Sequence, residues 1–249
     1  MSRITLTAAS RVGCIRSNNE DMVLVLNQKI RSDAYATEFD TTILDRFMVA
    51  VADGMGGHQA GEVASEETLE NLKFYIHDLP RGMSESELIE AMVSWQHSMN
   101  HTLNSRGLSD SSKANMGTTL VGLLYYEGHY FSINCGDSRL YRLHMGQLTQ
   151  LTTDHSLNMV TGQERHSNVI TNCIGGGCKH PYIDMVDITE KCLSGDILML
   201  CSDGLNDMIE DIDIEQLLTD GATGNQLCEA AIEAGGFDNV SAVVLKIED

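Results

Sequence analysis

The sequence predicts an α+β fold, and three observations carry that prediction. Short apolar runs of strand length dominate the chain, glycine turns join several of them, and long amphipathic stretches interrupt the runs in blocks. The runs are "RITLTAAS", "DMVLVL", "RFMVAVA", "TTLVGLLYYEG", "HYFSINCG", "RLYRLHMGQLTQL", "DILMLCS" and "VSAVVLKI". The turns "YEGH" and "HMGQ" suit hairpins, so antiparallel sheets are expected.

The elements follow in order. Three strands come first, ending with 46–52. From Ala60 to Leu79, the positions Ala60, Ala64, Leu69, Leu72, Ile76 and Leu79 recur at helical spacing and predict a first helix. "SESE" at 84–87 is a capping box, with Ser84 set to accept from the third helical amide. Behind it, Leu88, Met92, Trp95, Met99 and Leu103 make the apolar stripe of a second helix, on which the single tryptophan reads as core. Four strand runs follow, then a third helical stretch near 213–234 broken by "DGATG", then the last strand. Two sheets packed face to face with helices outside would bury every apolar face, but the strand pattern alone does not separate that from other α+β arrangements. With no proline-rich linker, low-complexity tract or internal repeat, residues 1–249 read as one domain.

Composition narrows the function. Sixteen basic against thirty-six acidic residues give a formal charge of −20. That argues against nucleic acid or an anionic membrane as partner, since both require basic patches. An anionic substrate remains open where cations or an arginine reverse the local field. The seven cysteines are odd in number and form no C-x-x-C pair, so they read as small core residues rather than a zinc site or disulfide framework. "MSRITLTAAS" lacks the apolar core of a signal peptide, no run approaches a membrane helix, and a cytoplasmic location is expected.

The stretch "FMVAVADGMGG", residues 47–57, ends an apolar run in Asp53 and then dissolves into glycines. A buried carboxylate is costly unless paired, and glycine lets the backbone bend or come close to something. One such stretch reads equally as a strand stop, a phosphate loop or a metal-binding strand end. The pattern recurs: Asp21 precedes "MVLVL", Asp137 follows "HYFSINCG", Asp203 follows "ILMLCS", and Asp238 precedes the last strand. One such aspartate is ordinary turn chemistry. Five whose strand ends converged would repel strongly unless compensated. Hard divalent cations are the usual compensation, and oxygen-only ligands favour Mg²⁺ or Mn²⁺ over zinc. Glycine beside the acid also lets the Gly54 carbonyl reach an ion.

Taken together and in order, "RSNNED", "VADGMGGH", "GTT", "INCGDSR", "LCSDGLND" and "GGFDNVS" resemble the PP2C-type metal-dependent protein serine/threonine phosphatases, across residues 11 to 247. "DGMGG" resembles the stand-alone bacterial branch. The resemblance implies a central antiparallel β-sandwich flanked by helices, in αββα layers. It implies two Mn²⁺ or Mg²⁺ ions, with Asp53 bridging them, the Gly54 carbonyl on the second, and Asp203 and Asp238 on the first. Glu20 and Asp21 match acids that hold metal-bound water. Asp137 and Asp207 match acids that bind a third, weaker ion in bacterial relatives. Arg16 matches the guanidinium that grips the substrate phosphate, a task suited to a fork that binds two oxygens at once. The implied reaction is hydrolysis of phosphoserine or phosphothreonine by a metal-bridging hydroxide, without a phospho-enzyme. The implied partners are phosphorylated proteins, in opposition to one or more bacterial Ser/Thr kinases, and the implied state is a monomer.

Two departures stand out. Met55 occupies the position where some animal relatives carry a histidine; His58, three residues on, reads as structural, and the general acid is left unassigned. Between "LTTDHS" and "NVITNCIGGG" only "LNMVTGQERHS" intervenes, so the flap near 155–170 is abbreviated, and Asn172 replaces the usual arginine. Substrate choice and third-ion binding are the family properties this departure touches. His155 and His166 are candidates for substrate contact, but as exposed loop histidines they are expected to have no role. A cysteine-based phosphatase is excluded, because no cysteine has an arginine six positions later. "DIDIE" resembles an aspartyl-phosphate motif but has Glu215 where Thr or Val is expected, and the glycine loop lacks the lysine of a P-loop. Two alternatives remain: a catalytically inactive phosphoprotein-binding relative, and a hydrolase of small phosphoesters.

Overall fold

The computed structural model describes residues 3–56, 60–157 and 169–248. In chain order the elements are β1 (Arg3–Arg11), β2 (Met22–Val25), β3 (Gln28–Ile30), β4 (Ala34–Asp40), β5 (Arg46–Ala52), β6 (Gly54–Met55), α1 (Ala60–Asp78) and α2 (Glu85–Ser109). Next come β7 (Gly117–Thr118), β8 (Leu120–Tyr126), β9 (His129–Cys135), β10 (Arg139–His144), β11 (Gln147–Gln150), β12 (Ile174–Gly175), β13 (Asp184–Asp187) and β14 (Ile197–Cys201). The chain closes with α3 (Asp203–Asn206), α4 (Asp211–Thr219), α5 (Gly224–Glu233) and β15 (Val240–Glu248).

Two six-stranded antiparallel sheets, ordered β11-β10-β14-β15-β1-β4 and β13-β9-β8-β5-β2-β3, make the centre of the fold. Period-two alternation creates its layers. Along β5, Phe47, Val49 and Val51 face the other sheet, whereas Met48, Ala50 and Ala52 face α1 and α2. Along β15, Val243, Leu245 and Ile247 join the cluster between the sheets, while Val240, Ala242 and Val244 face α4 and α5. Three apolar clusters thus separate four layers, αββα, as the resemblance implied. Each fully buried Val or Leu in them contributes about 1.5–3 kcal/mol.

Local signals explain the connections. The β8–β9 loop places Glu127 at φ 46° and Gly128 at φ 97°, and the β10–β11 loop places Met145 at φ 52° and Gly146 at φ 80°. Paired positive φ values are what a two-residue hairpin requires. At α2, Ser84 Oγ accepts from the Glu87 amide and the Glu87 carboxylate accepts from the Ser84 amide. Trp95 is buried and donates to Asn71 Oδ1 at 2.7 Å, a core role. The break in the third helical stretch separates α4 from α5, and Gly221 sits there at φ 87°.

A third, small sheet, β12-β7-β6, is wedged beside α1. A Cβ at Gly54 would lie 2.1 Å from the Gly61 carbonyl oxygen and 2.6 Å from that of Glu20. Gly204 meets the Asn239 carbonyl oxygen in the same way, at 1.9 Å. In both Asp-Gly pairs, glycine is therefore required by close backbone approach. Gly54→Ala is expected to destabilise the fold by about 1–3 kcal/mol, the usual cost of overpacking, read as a lower urea midpoint.

Strands β3, β4 and β13 lie outside the sequence expectation. β3 and β4 close one edge of each sheet and β13 another. Their outward residues are polar or exposed, which hides the apolar run; in β4 only the alternation Tyr35, Thr37, Phe39 carries the signal. The expected short flap falls mostly on 158–168, outside the described residues. Its described ends are bridged, Ser156 to Ile170, with the Leu157 amide donating to Val169 O at 2.9 Å. Among the described residues, no helix is long and apolar enough to cross a membrane.

Candidate metal centre

The strand-end acids converge. Asp53 follows β5 and Asp203 follows β14, so each rides on the end of a strand at the middle of its sheet. Asp21 lies just before β2, Asp137 two residues past β9, Asp238 two residues before β15, and Asp207 one residue past α3. Asp53 feels the charges of Asp21, Asp203 and Asp137 and hydrogen-bonds Asp203. Asp203 in turn feels Asp207 and Asp238. Glu20 and Arg16 complete the group: Arg16 Nη2 binds Asp238 Oδ2 at 2.5 Å, and the charges of Glu20 and Asp53 also act on it. Each of these acids, and Arg16, is linked by charge or hydrogen bond to at least one other of the set.

Backbone and small polar side chains fix it. The Asp53 amide donates to Thr119 Oγ1 at 3.0 Å, and the Thr119 amide returns to Asp53 O at 2.9 Å. The Gly54 amide donates to Glu20 O at 3.2 Å, and Ser65 Oγ donates to the same oxygen at 2.6 Å. Asn239 accepts from the Glu20 amide and donates to the Val12 and Asn18 carbonyls, which ties the Arg16 loop to the start of β15. Asp21 is fully buried, and its Oδ2 accepts from Ser202 Oγ and Ser241 Oγ, both at 2.7 Å. Those serines and Asn239 sit inside motifs read for their aspartates alone, so their supporting part was not foreseen.

The electrostatics are those of anions forced together. Burial first, and neighbouring carboxylates second, raise the Asp53 pKa well above the usual carboxylate range. Burial pushes Asp21 up to about 7 against two hydroxyl donors that pull it down, and pushes Asp137 up to about 7. Asp203 rises to about 6, mainly through burial, with the Asp53 hydrogen bond acting the other way. Carboxyls with folded pKa values above their unfolded ones hold more protons in the folded state between about pH 4 and 7. Their contribution to stability is therefore greatest below that window and falls as pH rises through it. In EDTA the unfolding midpoint is expected to drop between about pH 4 and pH 7. Each kcal/mol lost moves it by about 2–4 °C in a chain of this size. A flat profile would show that the acids do not burden the fold.

A divalent cation is the natural relief for this cluster, and the donor set suits one. Asp21 Oδ1, Asp137 Oδ1 and Asp203 Oδ1 are buried oxygens without a hydrogen-bond partner, an arrangement that is costly unless something binds them. All the clustered donors are oxygens, which suits Mg²⁺ or Mn²⁺ and not zinc. Among the described residues, no group of three His, Cys, Asp or Glu side chains is gathered tightly enough to hold an ion as it stands. The fit therefore rests on the donor chemistry and the three orphaned oxygens, not on a finished coordination shell.

One expectation is corrected. His155 is buried, not an exposed loop residue. Its Nδ1 accepts from the Gly136 amide at 3.2 Å and from Asn172 Nδ2 at 2.8 Å, so the ring proton sits on Nε2 and faces Asp184 Oδ2 at 3.0 Å. The His155 amide also donates to Gly136 O at 2.9 Å. The ring and its backbone thus grip the residue before Asp137. Asn172 is buried in the same clamp, pinned to both the amide and carbonyl of Tyr182. Burial cannot be read from a loop-like sequence context, which is why the histidine was misjudged. His58 and His166 lie outside the described residues. Met55 pairs with Gly117 in the small sheet.

Comparison with known proteins agrees with this geometry. The protein phosphatase 2C family model matches residues 26–229. The serine/threonine protein phosphatase PstP of Mycobacterium tuberculosis is 31% identical over all of this chain, which spans 47% of that relative's length. The solved S. agalactiae serine/threonine phosphatase superimposes with a TM-score of 0.81 at 27% identity, covering 98% of this chain and 100% of that one. The catalytic domain of PstP, solved in complex with two manganese ions, gives a TM-score of 0.76 at 30% identity with full coverage of both chains. With a family match across most of its length and near-complete structural superposition, the chain belongs to the protein phosphatase 2C family.

Proposed function

We propose that this chain is a metal-dependent phosphoprotein phosphatase that hydrolyses phosphoserine and phosphothreonine by direct transfer of the phosphoryl group to water. The observation that carries the reading is the set of three partnerless carboxylate oxygens, on Asp21, Asp137 and Asp203, gathered around Asp53. Asp53, the Gly54 carbonyl, Asp203 and Asp238 would hold two Mn²⁺ or Mg²⁺ ions. Glu20 and Asp21 would act on the surrounding water, and Asp137 with Asp207 would take a third ion. When bound, such ions lower the pKa of water and screen charge on a transferring phosphoryl group. Mn²⁺ is supported by the manganese in the related PstP catalytic domain.

The remaining chemistry belongs to the side chains. Arg16 exchanges its Asp238 partner for two phosphoryl oxygens, which holds the group in line and neutralises its charge. The serines on Asp21 aim that carboxylate and favour its ionised form against burial, and the His155–Asn172 clamp holds the backbone that carries Asp137.

The reading extends to setting. Residues 1–249 form one catalytic domain with a short flap, acting as a monomer on phosphorylated proteins and opposing a bacterial Ser/Thr kinase. All seven cysteines are free, as suits a reducing cytoplasm. Phosphate release from a phosphothreonine peptide, with Mn²⁺, Mg²⁺ or EDTA, tests the function. Turnover that requires a metal supports it; silence with every metal from folded protein contradicts it.

A further inference from the structure

The two loops that meet at the Arg16–Asp238 ion pair each hold a large apolar side chain in solvent. Ile15 is 67% exposed and Phe237 is 63% exposed, although Ile and Phe are among the residues most often buried. The loops that present them are fastened together. The Cys14 amide donates to Gly236 O at 2.7 Å, and Asn239 Nδ2 donates to the carbonyls of Val12 and Asn18 at 3.0 and 2.9 Å. A Cβ at Gly13 would lie 2.2 Å from Asp238 O, so the backbones touch. The Phe237 ring edge and Met208 Sδ both border Gly235, lying 3.5 and 3.6 Å from where its Cβ would be. Ile15 and Phe237 stand beside a cluster of acids, on a chain of net charge −20.

Resting on the phosphatase reading, we propose that Ile15 and Phe237 form the docking rim for the residues on either side of the phosphorylated Ser or Thr. Preferred substrates then carry a large apolar residue next to the phosphoresidue. The reason is one of reach. Consecutive Cα atoms are about 3.8 Å apart, so a phosphoryl group gripped by Arg16 brings the flanking residues of its peptide over the side chains that flank Arg16 and Asp238. An apolar neighbour covers Ile15 and Phe237 and removes both from water.

The test compares two phosphothreonine peptides with Mn²⁺, one with Leu on both sides of the phosphothreonine and one with Gln, and p-nitrophenyl phosphate, which has no flanking residues. Wild type is expected to favour the Leu peptide by about tenfold in kcat/KM, the scale on which a hydrophobic site separates substrates. Ile15→Ser and Phe237→Ser are expected to raise KM for the Leu peptide and erase the preference, with p-nitrophenyl phosphate turnover unchanged. The wild-type preference needs no variant, so a folding defect cannot mimic it. Equal rates on the two peptides, or a preference that survives both substitutions, would overturn the proposal while leaving the phosphatase reading intact. No turnover of any of the three substrates by folded wild type would sink both.

Discussion

Asp203→Asn is expected to lower metal-dependent hydrolysis of a phosphothreonine peptide by more than about 10²-fold, the upper end of what losing a mere outer-shell partner costs. Asp203 combines the features that set the effect. It sits at the junction of β14 and α3, one oxygen is buried without a partner, and its carboxyl hydrogen-bonds Asp53. Asparagine keeps the shape but removes the charge a hard cation needs and puts an amide nitrogen in place of one oxygen. The fold should not suffer. Without a cation Asp203 is repelled by Asp207 and Asp238, so the variant in EDTA is expected to unfold no lower than wild type. A variant that kept near-normal turnover would remove Asp203 from the site, and one that unfolded early would make its role structural.

Arg16→Ala carries the second large effect, a loss of about 10²–10³ in kcat/KM for any phosphomonoester, the range seen when a preorganised charge donor is deleted. Its ion pair with Asp238 is half-exposed, with the Arg16 side chain 53% accessible, and exposed pairs stabilise folds by only about 0–1 kcal/mol. The loss should therefore appear in catalysis and not in the unfolding midpoint. Arg16→Lys is expected to recover only a small part, because a point charge does not reproduce the two-oxygen fork. Full recovery in the lysine variant would reduce Arg16 to a source of local positive charge.

Much of this was legible before any coordinates. The α2 stripe and its capping box, both glycine hairpins and the apolar strands all stood in the sequence because each is a short-range pattern. The five junction aspartates were legible for the same reason, since an acid between an apolar run and a glycine is visible locally. Their convergence was not; that follows from sheet order, which sets β15 between β14 and β1 while β5 pairs with β2 and β8 in the other sheet. Edge strands such as β4 and β13 were hidden by their polar outer faces. The clamp on Asp137 was hidden more deeply. His155, Asn172, Tyr182 and Asp184 are separated by up to 29 positions, and nothing in "TTDHS" announces that the histidine turns inward. The serines that donate to Asp21 come from positions 181 and 220 residues further along, so only the fold could supply them.

The central claim is that the carboxylate cluster is a divalent-cation centre, and counting Mn²⁺ bound to the folded chain by titration calorimetry tests it most directly. Wild type at about pH 7.5 is expected to bind at least two Mn²⁺ per chain with a rise in unfolding midpoint, and Asp53→Asn to lose that binding while staying folded. Folded wild type that takes up no Mn²⁺ and gains no stability from it, or an Asp53→Asn variant that binds as wild type does, would contradict the account.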